Sequence, residues 1–498
     1  MRERARNARE RERERNARER ERERETSKAV KLRSHTLSLT NSFSLSLSLS
    51  LSLSLDSHGC TGTGDSQFCR RASALWGEDG EGGIMAKRVL QCAVRPGMTL
   101  AEIDTPALLV DMTALERNLG TMRKVMAGFP HMRLRPHAKT HKTPYLVDLQ
   151  LQNGAAAVCC QKLDEAQAIL AGSSVKDVMV TNEIVGKPKI ARLMRLAKEA
   201  ASKDKTLSVL VDDMSNLREV AEQCRLAAVR LGIWIEVNVG QNRCGIDHDS
   251  PVLLELARFI DEHPDLTFRG LQCYQGALQH VRAHADRQRL VDEVAAKARA
   301  ARQTLLDARL PCPDVSGCGT GTFMLEGTCG VHTEVQAGSF MFMDADYGRN
   351  LAETYLECAC DASRPQGGGH VSQFEHALFV LTTVMSHTNP DRLVVDAGMK
   401  AVSLDSGPPT VVDETATQAA GRGVAFDESR VRYQNGGDEH GVLMLGDSGA
   451  LPDAQVGTLL RLIPGHCDPT VNMFDFMVFV RDGIVERVEA IEGRGPGL

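Results

Sequence analysis

Aromatic residues are scarce in this 498-residue chain, at 4 %, and that scarcity removes the stacking surface that single-stranded nucleic acid needs. There is no excess of positive charge either: the formal net charge is −6, so no basic field is available to a phosphate backbone. Long apolar runs are missing as well. Without about eighteen consecutive apolar residues, no membrane-spanning helix is expected. The 14 cysteines contain no C-x-x-C pair, and Cys159 and Cys160 are adjacent rather than spaced for a metal cage. They are expected to be reduced, mostly buried thiols of an intracellular, cytoplasmic protein, with organellar delivery left open.

What is present divides into three parts. Residues 1–84 begin with an Arg/Glu alternation to about Glu25 and include a pure Ser-Leu repeat from Ser44 to Leu55. The first block has no apolar face to bury. The second alternates with period two, as an amphipathic strand would, and has no partner. A secretory signal needs a continuous apolar core, and a transit peptide is poor in acidic residues; neither description fits. This low-complexity segment is expected to be disordered, or an extension ahead of Met85, where well-patterned sequence starts.

Residues 100–350 alternate short apolar runs with amphipathic helical stretches. After a lead-in strand at Pro106–Asp111, strands are predicted at Arg133–Lys139, Ala155–Gln161, Asp177–Glu183, Leu207–Asp213, Ile233–Gly240, Phe268–Gly276, Asp314–Thr320 and Glu334–Met343. Helices are predicted at Thr113–Met126, Lys162–Ala171, Pro188–Ser202, Ser215–Leu231, Pro251–Glu262 and Arg287–Ala308. Strands apolar on both faces and separated by helices imply a covered parallel sheet. Eight β units of this size fit an α/β, (β/α)8 TIM-type barrel, with a doubly wound open sheet as the alternative. From residue 351 to 498 the pattern changes to short strands joined by Gly- and Pro-rich turns, with Asp482-Gly483 as a hairpin signal. This reads as an all-β C-terminal domain, to which residues 86–104 are added.

Two stretches carry chemistry. Arg135-Pro136-His137-Ala138-Lys139-Thr140-His141-Lys142 is cationic and poor in helix formers, so it reads as a strand end on which His137, Lys139 and His141 share a face. A lysine among other cations can have a lowered pKa and serve as an amine nucleophile; the alternative is a solvated basic loop. Barrels gather their chemistry at the C-terminal strand ends. There lie Lys139, Arg243, Tyr274, the loop Ser316–Thr322 with Gly319 and Thr320, and Ala337-Gly338-Ser339. An amine, ring-side donors and a small-residue anion cradle together are what a pyridoxal phosphate site needs. The second stretch is Pro464-Gly465-His466-Cys467-Asp468-Pro469. In an extended segment His466 and Asp468 face one side and Cys467 the other, a two-ligand metal site with open positions, or simply a polar turn. His440 is a further candidate contributor to the site.

These motifs together resemble the D-threonine aldolase and D-serine dehydratase family, which has the alanine-racemase-like barrel fold. The resemblance runs from Asp104-Thr105-Pro106 through the Lys139 octamer, Asn238-Val-Gly240, Arg243-Cys-Gly245, the Gly-Thr-Gly-Thr loop, Asp396-Ala-Gly398-Met-Lys400 and Pro464 to Asn472. It covers about residue 100 to the C-terminus and none of the first 84. It implies that Lys139 carries pyridoxal 5'-phosphate, with Arg243 and Tyr274 around the ring. It implies further that His466 and Asp468 hold a divalent metal, and that the enzyme is a head-to-tail homodimer. The dehydratases place a cysteine two residues after the metal histidine, where this chain has Asp468. A His/Asp pair suits manganese best, with magnesium, calcium or zinc as alternatives. The expected activity is therefore cleavage of D-3-hydroxy amino acids to glycine and an aldehyde. The metal hydroxide, His137 or His440 is the expected base. β-Elimination by a D-serine dehydratase, or a non-catalytic cofactor carrier, are the competing expectations.

Overall fold

A computed structural model describes residues 92–351, 374–420, 423–425, 428–446 and 454–497; the low-complexity segment 1–84 lies outside them. Among the described residues eighteen strands follow in chain order. The first ten are β1 (Ala107–Asp111), β2 (Arg133–Leu134), β3 (Val158–Cys160), β4 (Asp177–Glu183), β5 (Thr206–Val211), β6 (Leu231–Asn238), β7 (Ile246–Asp247), β8 (Leu266–Cys273), β9 (Asp314–Gly317) and β10 (Glu334–Val335). The C-terminal eight are β11 (Leu378–Asn389), β12 (Arg392–Val395), β13 (Thr410–Val411), β14 (Val431–Asn435), β15 (Gly441–Leu445), β16 (Leu459–Ile463), β17 (Phe476–Arg481) and β18 (Ile484–Ala490).

One sheet runs β2-β10-β9-β8-β6-β5-β4-β3, and its pairings are parallel. Its two ends meet through parallel bridges Leu134↔Ala155 and His137↔Cys159, so the sheet curls round into the expected eight-strand barrel. Helices cover it between strands, including Lys187–Ser202, Met214–Ala227, Val252–Glu262 and His284–Asp307. The strand face that packs on those helices is apolar, while the face that fills the barrel carries buried polar and charged residues around one apolar layer. The second sheet runs β14-β15-β12-β11-β1-β17-β18, with β16 joining β11 to β13. β1 pairs antiparallel with β11 and parallel with β17, so the lead-in strand is built into the C-terminal sheet. No described helix is long and apolar enough to cross a membrane.

Several expected strands are shorter in the structure. The runs beginning at Arg133 and Glu334 each leave the ladder after two residues and turn into 3-10 turns at Ala138–Thr140 and Ser339–Met341. Pro136 has no amide hydrogen to give a ladder, which helps end β2. The helix Pro144–Gln152 was not predicted from periodicity, although Pro144 at its first turn is a start signal. The helix after β1 begins at Met112 and is capped by Asp111, whose side chain accepts from the Ala114 N–H, rather than by Thr113.

Side-chain alternation stacks the barrel interior in layers. At the floor, where the strands begin, Arg135 is wholly buried and pairs with Glu334 through Nε and Nη2, both at 2.9 Å, and with Asp177 at 2.9 Å. Burial opposes these charges, yet the guanidinium holds both carboxyls below their usual range. Above it lies an apolar layer of Cys159, Met179, Leu210 and Trp234, with the indole N–H donating to Ser208 Oγ at 3.1 Å. Next comes a polar layer in which Gln336 Nε2 donates to Gln272 Oε1 at 2.7 Å and to Ser316 Oγ at 2.8 Å. The octamer's first cation therefore belongs to the floor, not to the mouth. Arg135→Met would leave buried carboxylates short of their partner, and we expect a loss of about 3 kcal/mol of stability, read from the urea midpoint. A loss under about 1 kcal/mol would contradict the layered account.

Candidate active site

A cleft opens above the glutamine layer, and Lys139, Arg243, Tyr274, Gly319, Thr320, Gly338, Ser339 and Asp468 all line it. Lys139 sits in the 3-10 turn Ala138–Thr140, not on a strand. The turn replaces period two, and this separates the octamer's side chains. His137 and Thr140 line the cleft with Lys139. His141 is wholly buried away from it, and Lys142 Nζ reaches Asn472 Oδ1 at 2.7 Å and Glu165 at 3.3 Å.

The Lys139 ammonium faces the cleft with Asp468 Oδ2 at 3.6 Å, and its side chain keeps 38 % exposure because the cleft is open on that side. Burial alone would depress this amine, but Asp468, with smaller contributions from Tyr274, Cys159 and Glu165, reverses this and raises its pKa. The lowered pKa expected from neighbouring cations is thus overturned, because Asp468 supplies the nearer charge and both histidines are neutral. His137 is pushed well below the ordinary histidine value by burial and then by Lys139. Its Nδ1 accepts the Lys139 N–H at 3.3 Å while Nε2 meets Thr181 Oγ1 at 2.9 Å. With both ring nitrogens engaged, it holds the lysine turn in place.

The metal motif differs from its expected form. His466 is the N-cap of a helical turn, Cys467–Val471, so its relation to Asp468 comes from a cap and a first turn, not from strand alternation. His466 Nδ1 lies 2.7 Å from Asp405 Oδ2. Burial lowers the His466 pKa, but Asp468 and then Asp405 more than reverse this. Asp468 is held low, despite burial, by Lys139 and His466, and its Oδ1 is buried with no hydrogen-bond partner among the described residues. The neighbouring Cys467 thiol is wholly buried and pushed well above its ordinary value by that burial. A divalent cation fits this donor set: an imidazole fixed through its other nitrogen and a carboxylate oxygen lacking a partner.

The anion cradle also fits, for a reason other than the expected one. A Cβ on Gly319 would overlap the Gln279 amide, and one on Gly338 would come within 2.6 Å of the His137 carbonyl. The glycines are there because the loops press against their own barrel. Between them, Thr320 Oγ1 is buried with no partner among the described residues, a donor without an acceptor.

Sequence reasoning missed four groups. Glu236 lines the cleft, and burial together with Glu183 pushes its carboxyl up to about 9. Tyr347 also lines it, its phenol raised by burial. Asp344, raised to about 6 by burial, accepts from the Cys467 N–H at 3.3 Å. Asp405 orients His466. Glu236 ends an apolar strand and so carried a usable signal; the others depend on contacts between distant segments. His440 is exposed on the β14–β15 turn and does not line the cleft.

A family model for the alanine racemase N-terminal domain matches residues 110–346, and one for a putative serine dehydratase domain matches residues 377–480. The chain is 38 % identical to a D-threonine aldolase of Arthrobacter sp over 80 % of its length and 95 % of the relative's. It is 41 % identical to a 3-hydroxy-D-aspartate aldolase of Paracoccus denitrificans over 81 % and 95 %. The crystal structure of D-threonine aldolase from Filomicrobium marinum superposes with a TM-score of 0.69 at 38 % identity, covering 81 % of this chain and 99 % of that one. A D-threo-3-hydroxyaspartate dehydratase of Delftia stands further off, at 27 % identity.

His141 gives a pH prediction. Burial lowers its pKa to about 4 from an ordinary 6.5. Above 6.5 folded and unfolded forms are both neutral; below it only the unfolded form takes the proton, so stability falls as pH drops from 6.5 toward 4. The slope due to this residue is about 1.4 kcal/mol per pH unit. His141→Gln should flatten that part of the urea-midpoint profile, and an unchanged slope would refute the buried neutral state.

Proposed function

From the premise that this chain belongs to the family of D-threonine aldolase and 3-hydroxy-D-aspartate aldolase, we propose that it is a pyridoxal-phosphate- and metal-dependent lyase. It would cleave D-threonine and related D-3-hydroxy amino acids to glycine and an aldehyde. The observation that carries this reading is the convergence of Lys139 and Asp468, from the barrel and the C-terminal domain, at 3.6 Å on one cleft.

Lys139 would supply the amine that carries the cofactor, with the Thr320 and Ser339 loops at its phosphate and Arg243 and Tyr274 beside the ring. Bound there, the cofactor supplies a sink for the electron pair released when Cα–Cβ breaks, and a divalent cation on His466 and Asp468 makes the substrate hydroxyl more acidic. The protein's own residues do the rest. Asp468 holds the Lys139 ammonium near the reacting centre, so that the displaced lysine keeps a proton to give back. His137 fixes the backbone of the lysine turn, and Thr181 fixes His137. Asp405 orients the imidazole of His466. Burial keeps Tyr274 and Tyr347 protonated, so both present hydroxyl donors. His137 and His440 are poor bases here, the first with both nitrogens engaged and the second off the cleft.

The choice of aldol cleavage over elimination rests on relatedness and on the ligand set. Aldolases match at about 40 % identity and the dehydratase at 27 %. An imidazole with a carboxylate favours manganese over zinc. We also propose a cytoplasmic homodimer with both domains of each chain contributing to the site. Domain limits near residues 100–350 and 351–498, with 86–104 added to the second, belong to the same proposal.

Chelated protein resupplied with manganese should release acetaldehyde and glycine from D-threonine; pyruvate from D-serine without acetaldehyde from D-threonine would overturn the assignment. Lys139→Ala should lose the visible absorbance of the bound cofactor along with turnover. Retained colour and turnover would remove Lys139 from its role.

A further inference from the structure

The loop after β9 is braced from behind by side chains that do not line the cleft. Thr322 Oγ1 accepts from the Gly319 N–H at 3.2 Å and from Gln279 Nε2 at 2.9 Å, and donates its one proton to Glu326 Oε2 at 2.8 Å. Every bond a hydroxyl can make is then in use. Gln279 Oε1 accepts from the Gly321 N–H at 2.7 Å, and Gln279 is itself held where its carbonyl accepts from Asn350 Nδ2 at 2.9 Å. Thr322, Gln279 and Glu326 are all buried, at 2 %, 1 % and 2 % exposure. The amides of Gly319 and Gly321 are therefore tied backward into the protein. Thr320, between them, is left at the cleft wall with its buried hydroxyl unpartnered.

Glu326 lies beside Cys318 and His332, with the ligand atoms of the three within 4.8 Å of one another, and His332 Nε2 meets the Cys273 carbonyl at 3.3 Å. These residue types could hold a cation, but the carboxylate is already taken by the Thr322 hydroxyl and receives the Cys318 thiol as a donor. The cluster is a hydrogen-bonded brace. We propose that Thr322, held by Glu326 and Gln279, is the positioning residue that sets the affinity of the Thr320 loop for the phosphate of the cofactor. This rests on the pyridoxal phosphate reading above.

The test compares pyridoxal phosphate with pyridoxal, which differ only in the phosphate, on protein stripped of cofactor; binding is followed by absorbance. The wild-type chain should prefer the phosphorylated aldehyde. Thr322→Val should reduce that preference about tenfold or more while leaving pyridoxal affinity unchanged, and Thr322→Ser should restore it. Where Thr322→Val does not fold, Gln279→Met frees the Gly321 amide and should shift the preference the same way. A wild type that binds both aldehydes equally would overturn the phosphate-cradle reading and this inference with it. A strong wild-type preference kept intact in the valine or methionine variant would overturn this inference alone, as would equal weakening of both aldehydes.

Discussion

The ion pair between Lys139 and Asp468 is the constraint from which most of this molecule can be derived. Asp468 is largely removed from water, and the partly exposed Lys139 ammonium at 3.6 Å offsets part of that cost. Each is brought into place by its own local device. His137 accepts the backbone N–H of Lys139, and Asp344 accepts the N–H of Cys467 next to Asp468. Around the pair, Lys142 bonds Asn472, and its carbonyl accepts from the Gly493 N–H at 3.0 Å. The C-terminal segment is thus fastened to the first barrel turn on both sides of this pair. The two parts of the fold complete the site only together.

The layers below explain why the cleft sits where it does. A charged floor, an apolar plug and a glutamine layer fill the barrel from the strand starts upward, leaving space only at the C-terminal ends. Rigidity there matters because the groups above act by position. The phenols stay neutral and His137 is held at both ring nitrogens.

The barrel was legible because short apolar strand runs alternate with helices that keep one apolar face; such patterns survive any tertiary detail. The residues at the mouth were legible because the strand ends are fixed once the strands are known. What could not be read was how the chain leaves a strand. The turns at Ala138–Thr140 and Cys467–Val471 depend on Pro136, a cap and contacts with distant segments. The expected facing of His141 therefore failed, although Lys139 does line the cleft. The direction of the Lys139 shift was unreadable for the same reason: in sequence its neighbours are cations, whereas in space its nearest charge is Asp468. Asp344 and Asp405 gave no local signal at all, since each acts on a residue far away in the chain.

The central claim is that cofactor and metal share one cleft, the first on Lys139 and the second on His466 and Asp468. The most direct measurement is the phosphorus NMR signal of bound pyridoxal phosphate as manganese is added to chelated protein. Paramagnetic broadening that saturates with one metal per chain, and disappears in His466→Ala, is the predicted result. A signal that stays sharp while manganese binds would place the metal elsewhere and contradict the account.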